Sequence, residues 1–261
     1  MRSILVQAGR DPGMTARLDT AMALARVHGG HLTVLVDTPV DQFVTIDPYG
    51  GAMLAREALE TALKADDAMA AAFADRLARD DVPYDVAQTE LPQLDALVRF
   101  ADLADLVVMS RSNRLTGDLA VAASSPVLAL PDDRPMRVPA ETVCIGWDGG
   151  SEAARALKAA VPLMSQAATV QVLTVLVDEP KGFPSTEALR YLSRHGIKAE
   201  LTELPCDNTV EETIAAEVAR CGADLLVMGA YGHSRLREFL FGGVTRFFLD
   251  ELTAPPLLMA H

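Results

Sequence analysis

The chain has 261 residues, 50% of them hydrophobic and 23% charged, and a net charge of −13 at pH 7. That length holds one large domain or two of ordinary size, with ample material for a core. The acidic balance repels phosphate backbones, so it excludes general nucleic-acid binding and leaves any anion site to backbone N–H groups and a few arginines. No run of eighteen apolar residues occurs, so no membrane span and no membrane partner are expected. The start, Met1-Arg2-Ser3-Ile4-Leu5-Val6, reads as a strand rather than a signal peptide, and the three cysteines (Cys144, Cys206, Cys221) are scattered. Both features make a cytoplasmic protein the expectation.

Short apolar runs rich in Val and Leu predict strands at Ser3–Ala8, Leu32–Val36, Pro83–Ala87, Leu106–Met109 and Val127–Leu130. A second set follows at Thr142–Trp147, Val170–Val177, Ile197–Leu204, Leu225–Met228 and Leu257–Ala260. Ala/Leu-rich helical patterns separate them at Met14–Val27, Met53–Ala78, Ser151–Met164 and Thr209–Arg220, the last after a candidate cap at Asn208. Alternating strands and helices predict an α/β fold of βαβ units with right-handed crossovers. Pro131-Asp132-Asp133-Arg134-Pro135-Met136-Arg137-Val138-Pro139 suits a linker, so the chain divides into residues 1–136 and 137–261.

The two sets repeat each other. Leu32-Thr33-Val34-Leu35-Val36-Asp37 recurs letter for letter at Leu173–Asp178, and Ala104–Met109 recurs at Ala223–Met228 with one Val→Leu change. Pro126–Leu130 matches Pro256–Ala260 in the same order. Between the second and fourth strands the first half is longer by 22 residues, counted from these matches, with Pro39–Ala52 in the excess. From Met109 to Pro126 is 17 residues and from Met228 to Pro256 is 28, so the first half is 11 shorter after its fourth strand.

Ligands of open α/β sheets sit beyond the carboxyl ends of the strands, where the strand order switches. There the second half reads Gly229-Ala230-Tyr231-Gly232-His233-Ser234-Arg235, continues to Gly242-Gly243-Val244-Thr245-Arg246, and has the form G-x2-G-x9-G-G. A helix over Val244–Leu252 would aim its free N–H groups back at the glycines, which makes an anion site. Arg235, Arg237 and Arg246 are candidate phosphate partners or solvated charges. The first half has only Ser110-Arg111-Ser112-Asn113-Arg114-Leu115-Thr116-Gly117, too short to wrap a triphosphate.

At these residues the chain resembles the universal stress protein family, as a tandem of two family modules spanning nearly its whole length. Trp147-Asp148-Gly149-Gly150-Ser151 resembles the end of the family's first strand. The resemblance implies two tandem open parallel five-stranded sheets flanked by helices, a Rossmann-like fold of the adenine nucleotide alpha hydrolase type. It implies an internal pseudo-dimer in which Val127–Leu130 pairs with Leu257–Ala260, and leaves a homodimer open. It further implies a stress-response role, ATP (or ADP or AMP) with a divalent ion such as Mg2+ as the ligand, and protein partners downstream. Asp148 would face adenine or ribose, and Val175 would meet adenine through its backbone. Gly229, Gly232, Gly242, Gly243 and Val244 would line ribose and phosphates under a covering loop of His233, Ser234 and Arg235. Gly243 departs from the family's Ser or Thr, which removes one hydrogen bond to a charged group, about 1.5–3 kcal/mol, and weakens binding roughly 10- to 100-fold. Thr245 lies two residues on, toward the opposite side of the helix, and does not replace it.

Each candidate has a plainer reading. Asp148 could cap the helix at Ser151, Trp147 could be packed rather than stacked on a base, and His28 with His31 fits a helix end capped by glycine better than a metal site. Cys144 and Cys221 read as buried and inert. The alternative to a nucleotide-binding protein is a scaffold or protein-interaction module that binds none. An enzyme is not expected, because the chain has no Walker A sequence and no assignable Ser/His/Asp set. Slow ATP hydrolysis is compatible with the fold.

Overall fold

A computed structural model describes residues 1–38, 40, 51–176, 182–206, 208–232, 243–251 and 253–261, with backbone alone at 51–55. The first half runs β1 (Ser3–Gln7), α1 (Met14–His28), β2 (His31–Asp37), α2 (Gly51–Leu77), β3 (Tyr84–Thr89), α3 (Gln93–Ala101), β4 (Leu106–Ser110), α4 (Thr116–Ala122) and β5 (Val127–Leu130). The second runs β6 (Thr142–Gly146), α5 (Ser151–Met164), β7 (Thr169–Leu176), α6 (Ser185–Arg194), β8 (Glu200–Pro205), α7 (Val210–Cys221), β9 (Leu225–Gly229), α8 (Gly243–Asp250) and β10 (Leu257–Ala260). These ten strands lie where the apolar runs placed them, with ends moved by up to three residues. The sequence reading did not place α3, α4 or α6, which at nine, seven and ten residues are too short to show a helical period.

The helix ends follow local chemistry. Gly29 closes α1 in the left-handed region at φ 59°, and its N–H bonds back to the last turn, as the helix-end reading of His28 required. The cap of α7 is Thr209 rather than Asn208: its hydroxyl oxygen accepts the Glu212 N–H at 3.3 Å. Thr209 lies three residues before Glu212, the spacing that serves an N-terminal turn.

The strand order is β3-β2-β1-β4-β5-β10-β9-β6-β7-β8. Within each half every described pair is parallel, and both halves have the same order about β1 and β6. The antiparallel pair is β5 with β10, where Leu128 faces Leu258. One continuous sheet results. Helices α1, α2, α5 and α6 pack on one face of it, and α3, α4, α7 and α8 on the other.

The ladder corrects one repeat. Ile4 sits beside Leu32 and Leu106, and Val143 sits beside Val170 and Leu225. Leu32 therefore corresponds to Val170, not to Leu173, and the identical hexapeptides are three residues out of step. An odd shift would put every side chain on the wrong face. The burial shows which register holds: Leu32 and Val170 lie in the core under α1 and α5, whereas Leu173 lies in the opposite core with Leu35. The excess of the first half between second and fourth strands becomes 19 residues instead of 22. The Leu106/Leu225 and Val127/Leu257 matches are in step, so the 11-residue shortening stands.

A buried cation ties the first half together. Arg17 on α1 is fully buried; it donates to Asp11 Oδ1 and Oδ2, each at 2.7 Å, to the Gln7 carbonyl at 3.2 Å, and to the Ser110 hydroxyl. Asp11 also accepts the Gly13 N–H at 3.0 Å. One guanidinium thus links β1, α1 and β4, and it holds the Asp11 carboxyl below its usual range.

Asp11→Asn should destabilise the protein by about 2 kcal/mol at pH 7, less than the 3–5 kcal/mol of a fully enclosed pair because Asp11 is partly hydrated. The folded pKa is depressed, so this stabilisation exists above the unfolded value of about 4 and fades as pH falls through the lower folded value. Urea titrations of wild type and variant should therefore converge in acid. At the seam, Leu128→Ala and Leu258→Ala should each cost about 2–5 kcal/mol. Their double variant should depart from additivity by at least about 0.5 kcal/mol if the two side chains touch in solution.

Candidate functional site

The second half opens a crevice where β6 and β9 lie side by side. From β6 the chain leaves through α5 toward β7, and from β9 it leaves through α8 toward β10, on opposite faces of the sheet. Strand carboxyl ends at such a divergence are the general ligand position of open α/β sheets.

Three of the sequence candidates meet there. Gly229 ends β9, and a Cβ on it would lie 2.6 Å from the Ala153 nitrogen and 2.8 Å from the Glu152 carbonyl carbon. Only glycine lets the strand end approach the first turn of α5 so closely. A Cβ on Gly232 would lie 3.5 Å from Asp148 Oδ2, so the loop after β9 borders the loop after β6. Asp148 is exposed; its Oδ1 accepts the Gly150 N–H at 2.8 Å, which fixes the turn ahead of α5, and Gly150 itself occupies the cap position. The turn-forming and ligand-facing readings of Asp148 are compatible, one oxygen for each.

Val175 is half-buried near the end of β7, paired with Leu204, one strand away from the β6–β9 gap. Gly243 and Val244 begin α8; Gly243 is exposed, and among the described residues a Cβ there would meet only Glu211 Oε1, at 3.7 Å. Thr245 is buried, as its turn from Gly243 implied, and its hydroxyl oxygen accepts the Tyr231 N–H at 3.2 Å. His233, Ser234, Arg235 and Gly242 lie outside the described residues, as does Arg237. Arg246 lies on α8 with its Nε 3.4 Å from Asp250 Oδ2.

The sequence reading passed over Tyr231, inside the glycine loop. Its backbone is left-handed at φ 49° and its ring is buried. A Cβ on Gly117 of α4 would overlap its hydroxyl, so Tyr231 crosses into the first half, and the bare glycine makes the room. Trp147 is packed as the plainer reading had it, with Nε1 donating to the Phe183 carbonyl at 3.1 Å. Cys144 is enclosed in β6, and burial pushes its thiol up to about 12. Cys221 donates to Gln171 Oε1 at 2.9 Å.

The matching place in the first half is occupied by its own side chains. Through the ladders Gln7 corresponds to Gly146, Asp37 to Val175 and Ser110 to Gly229. Gln7 is buried, and Asp37 accepts from Gln93 Nε2 at 3.3 Å, with its carboxyl pushed up by burial. Ser110 bonds to Arg17 instead of leaving a gap, and Thr116 donates back to the Ser110 carbonyl at 2.7 Å to close the short turn. Where the second half has Gly146 and Gly229, the first half has a polar network.

The Universal stress protein family matches residues 139–259. No curated protein matches the chain. Among solved structures, a universal stress protein from Archaeoglobus fulgidus DSM 4304 superposes with a TM-score of 0.69 at 13% identity, over 98% of this chain and 97% of its own. A protein of unknown function from Pseudomonas aeruginosa PAO1 superposes with a TM-score of 0.62 at 18% identity, over 100% of this chain and 92% of its own. Such identities establish the shared fold, which extends across both halves. Residues 139–259 therefore form a universal stress protein family domain, within a chain that has the fold of such a protein from end to end.

Proposed function

We propose that the chain binds an adenine nucleotide, ATP above all, in the crevice between β6 and β9, as a stress-response regulator rather than an enzyme. The observation that carries this reading is the convergence of Asp148, Gly229 and Gly232 where the strand order switches, with α8 opening nearby at exposed Gly243. Backbone N–H groups at a glycine-rich turn and a helix start are the anion binders an acidic protein has to use. Val175, half-buried on the neighbouring strand, is the residue this reading gives to the base, and Gly146 ends β6 with no side chain of its own. Residues 1–136 and 137–261 are the two modules of this reading, and only the second holds nucleotide.

The local charge sets the form of the ligand. Carboxylates of Asp148 and Glu152 stand beside Gly232, and that of Glu211 beside Gly243. They repel a free triphosphate, and a divalent cation on the phosphates turns that repulsion into attraction. Mg-ATP is therefore the ligand, with no side chain assigned as a resident metal ligand.

Denaturing extraction of protein equilibrated with excess Mg-ATP, followed by nucleotide chromatography, should recover at most one bound adenine nucleotide per chain. Calorimetry should give weak Mg-ATP binding that falls when EDTA removes the cation. Gly243→Ser, whose Cβ meets no described atom closer than Glu211 Oε1 at 3.7 Å, should tighten Mg-ATP binding by about tenfold. Gly229→Ala meets backbone atoms of α5, and should cost about 1–3 kcal/mol of stability along with the binding. If neither wild type nor Gly243→Ser binds up to millimolar Mg-ATP, the scaffold reading replaces this one.

A further inference from the structure

Arg111 comes one residue after β4, in the first half, yet its side chain is spent on the second. It is 6% exposed. Nη1 donates to the carbonyl of Glu251 at 2.7 Å and to that of Ala254 at 3.0 Å, and Nη2 donates to that of Pro255. These carbonyls lie in the turn by which the chain leaves α8 and enters β10. The last carbonyls of a helix have no partner within it, and a cation at that end also complements the helix dipole. Burial pulls the Arg111 pKa down only to about 10, so the group remains charged at neutral pH.

The other end of α8 faces the crevice. The helix has eight residues, about 12 Å of rise, and at that length it moves as one piece. Fixing the turn that follows its last residue sets where the Gly243 and Val244 N–H groups point. Near its start, the Thr245 hydroxyl holds the Tyr231 N–H, while the Tyr231 ring is wedged against Gly117. The two halves are not reciprocal here. The ladders put Ala230 where the first half has Arg111, and their backbone N–H groups make the same bond, to Ala260 and Leu130 respectively. Alanine has no side chain with which to cap α4 in return. The guanidinium is present on the side whose partner helix begins beside the glycine loop after β9.

We propose that Arg111 is a positioning residue for the phosphate end of the second half's site, acting across the seam through α8. The inference rests on the nucleotide reading above. It gives the first half a definite part: with its own crevice filled, it aims the anion-binding helix of its neighbour.

The test compares Mg-ATP with adenosine, which lacks phosphates, on wild type, Arg111→Met and Arg111→Lys. Arg111→Met should weaken Mg-ATP by about tenfold or more while adenosine changes less than about twofold. Arg111→Lys, whose ammonium can still donate to carbonyls, should recover part of the loss. A residue that merely stabilises the fold would lower the melting temperature and shift both ligands alike. Equal losses, or unaltered Mg-ATP binding in a folded variant, overturn the proposal. If Arg111→Met does not fold, Arg111→Lys carries the test, with a smaller loss confined to Mg-ATP expected and an equal loss of both ligands overturning it. A wild type that takes neither ligand overturns the nucleotide reading instead. The hold on α8 is then read by amide hydrogen exchange at Val244–Phe248: faster exchange in the variant supports it, and unchanged exchange overturns it.

Discussion

The antiparallel pairing of β5 with β10 is the constraint on which the rest of the molecule depends. Alone, each half would end in a short apolar strand with a row of unpaired backbone groups, a liability for any exposed sheet edge. Every side chain of Val127–Leu130 and Leu257–Ala260 is buried, so neither strand could face water without a large loss. Joining them leaves β3 and β8 as the sheet's edges. Both carry exposed polar residues three positions apart, and so on both faces: Asp85 and Gln88 on one, Glu200 and Glu203 on the other. The seam also brings α4 beside α8, and that proximity is what lets Arg111 and Tyr231 reach across.

The two halves show how one architecture loses a cavity. Nothing in the strand order differs between them. The change lies in a few positions at the carboxyl ends of the strands, where small residues of the second half are replaced by larger, polar ones in the first. Gln7 stands for Gly146 and Ser110 for Gly229, and Arg17 draws the surrounding groups together. A buried arginine needs its five donors satisfied, and Asp11, Gln7 and Ser110 meet most of them. The strand ends of the first half are closed by an internal ion pair, one that stabilises only while both members stay.

Much of this was legible in the sequence, for identifiable reasons. Buried parallel strands are continuous apolar runs, so the strands could be placed, while their pairing across the seam came from the family resemblance alone. The first glycine after β9 was legible as a close approach, because glycine is demanded where backbone meets backbone, as Gly229 meets the first turn of α5. Other features were hidden. The hexapeptide identity was misleading, since Val and Leu serve equally well on either face and only the neighbouring strand sets the register. Asn208 and Thr209 are both good caps, and the backbone geometry of the next turn chose Thr209. Arg111 and Tyr231 could not be assigned, because each reaches into the other half and no local pattern announces a side chain that crosses a seam, and Arg17 joins nearby Asp11 to distant Ser110.

The filled crevice bears on how the molecule would answer its ligand. A protein with two matched sites can couple them, so that occupancy of one alters the other and the response steepens. Here Gln7, Asp37 and Arg17 already sit where a second ligand would have to enter. On the proposed reading, one site per chain would make occupancy follow nucleotide concentration along a hyperbola, without threshold. Any sharpening of that response has to come from another molecule, not from its own first half.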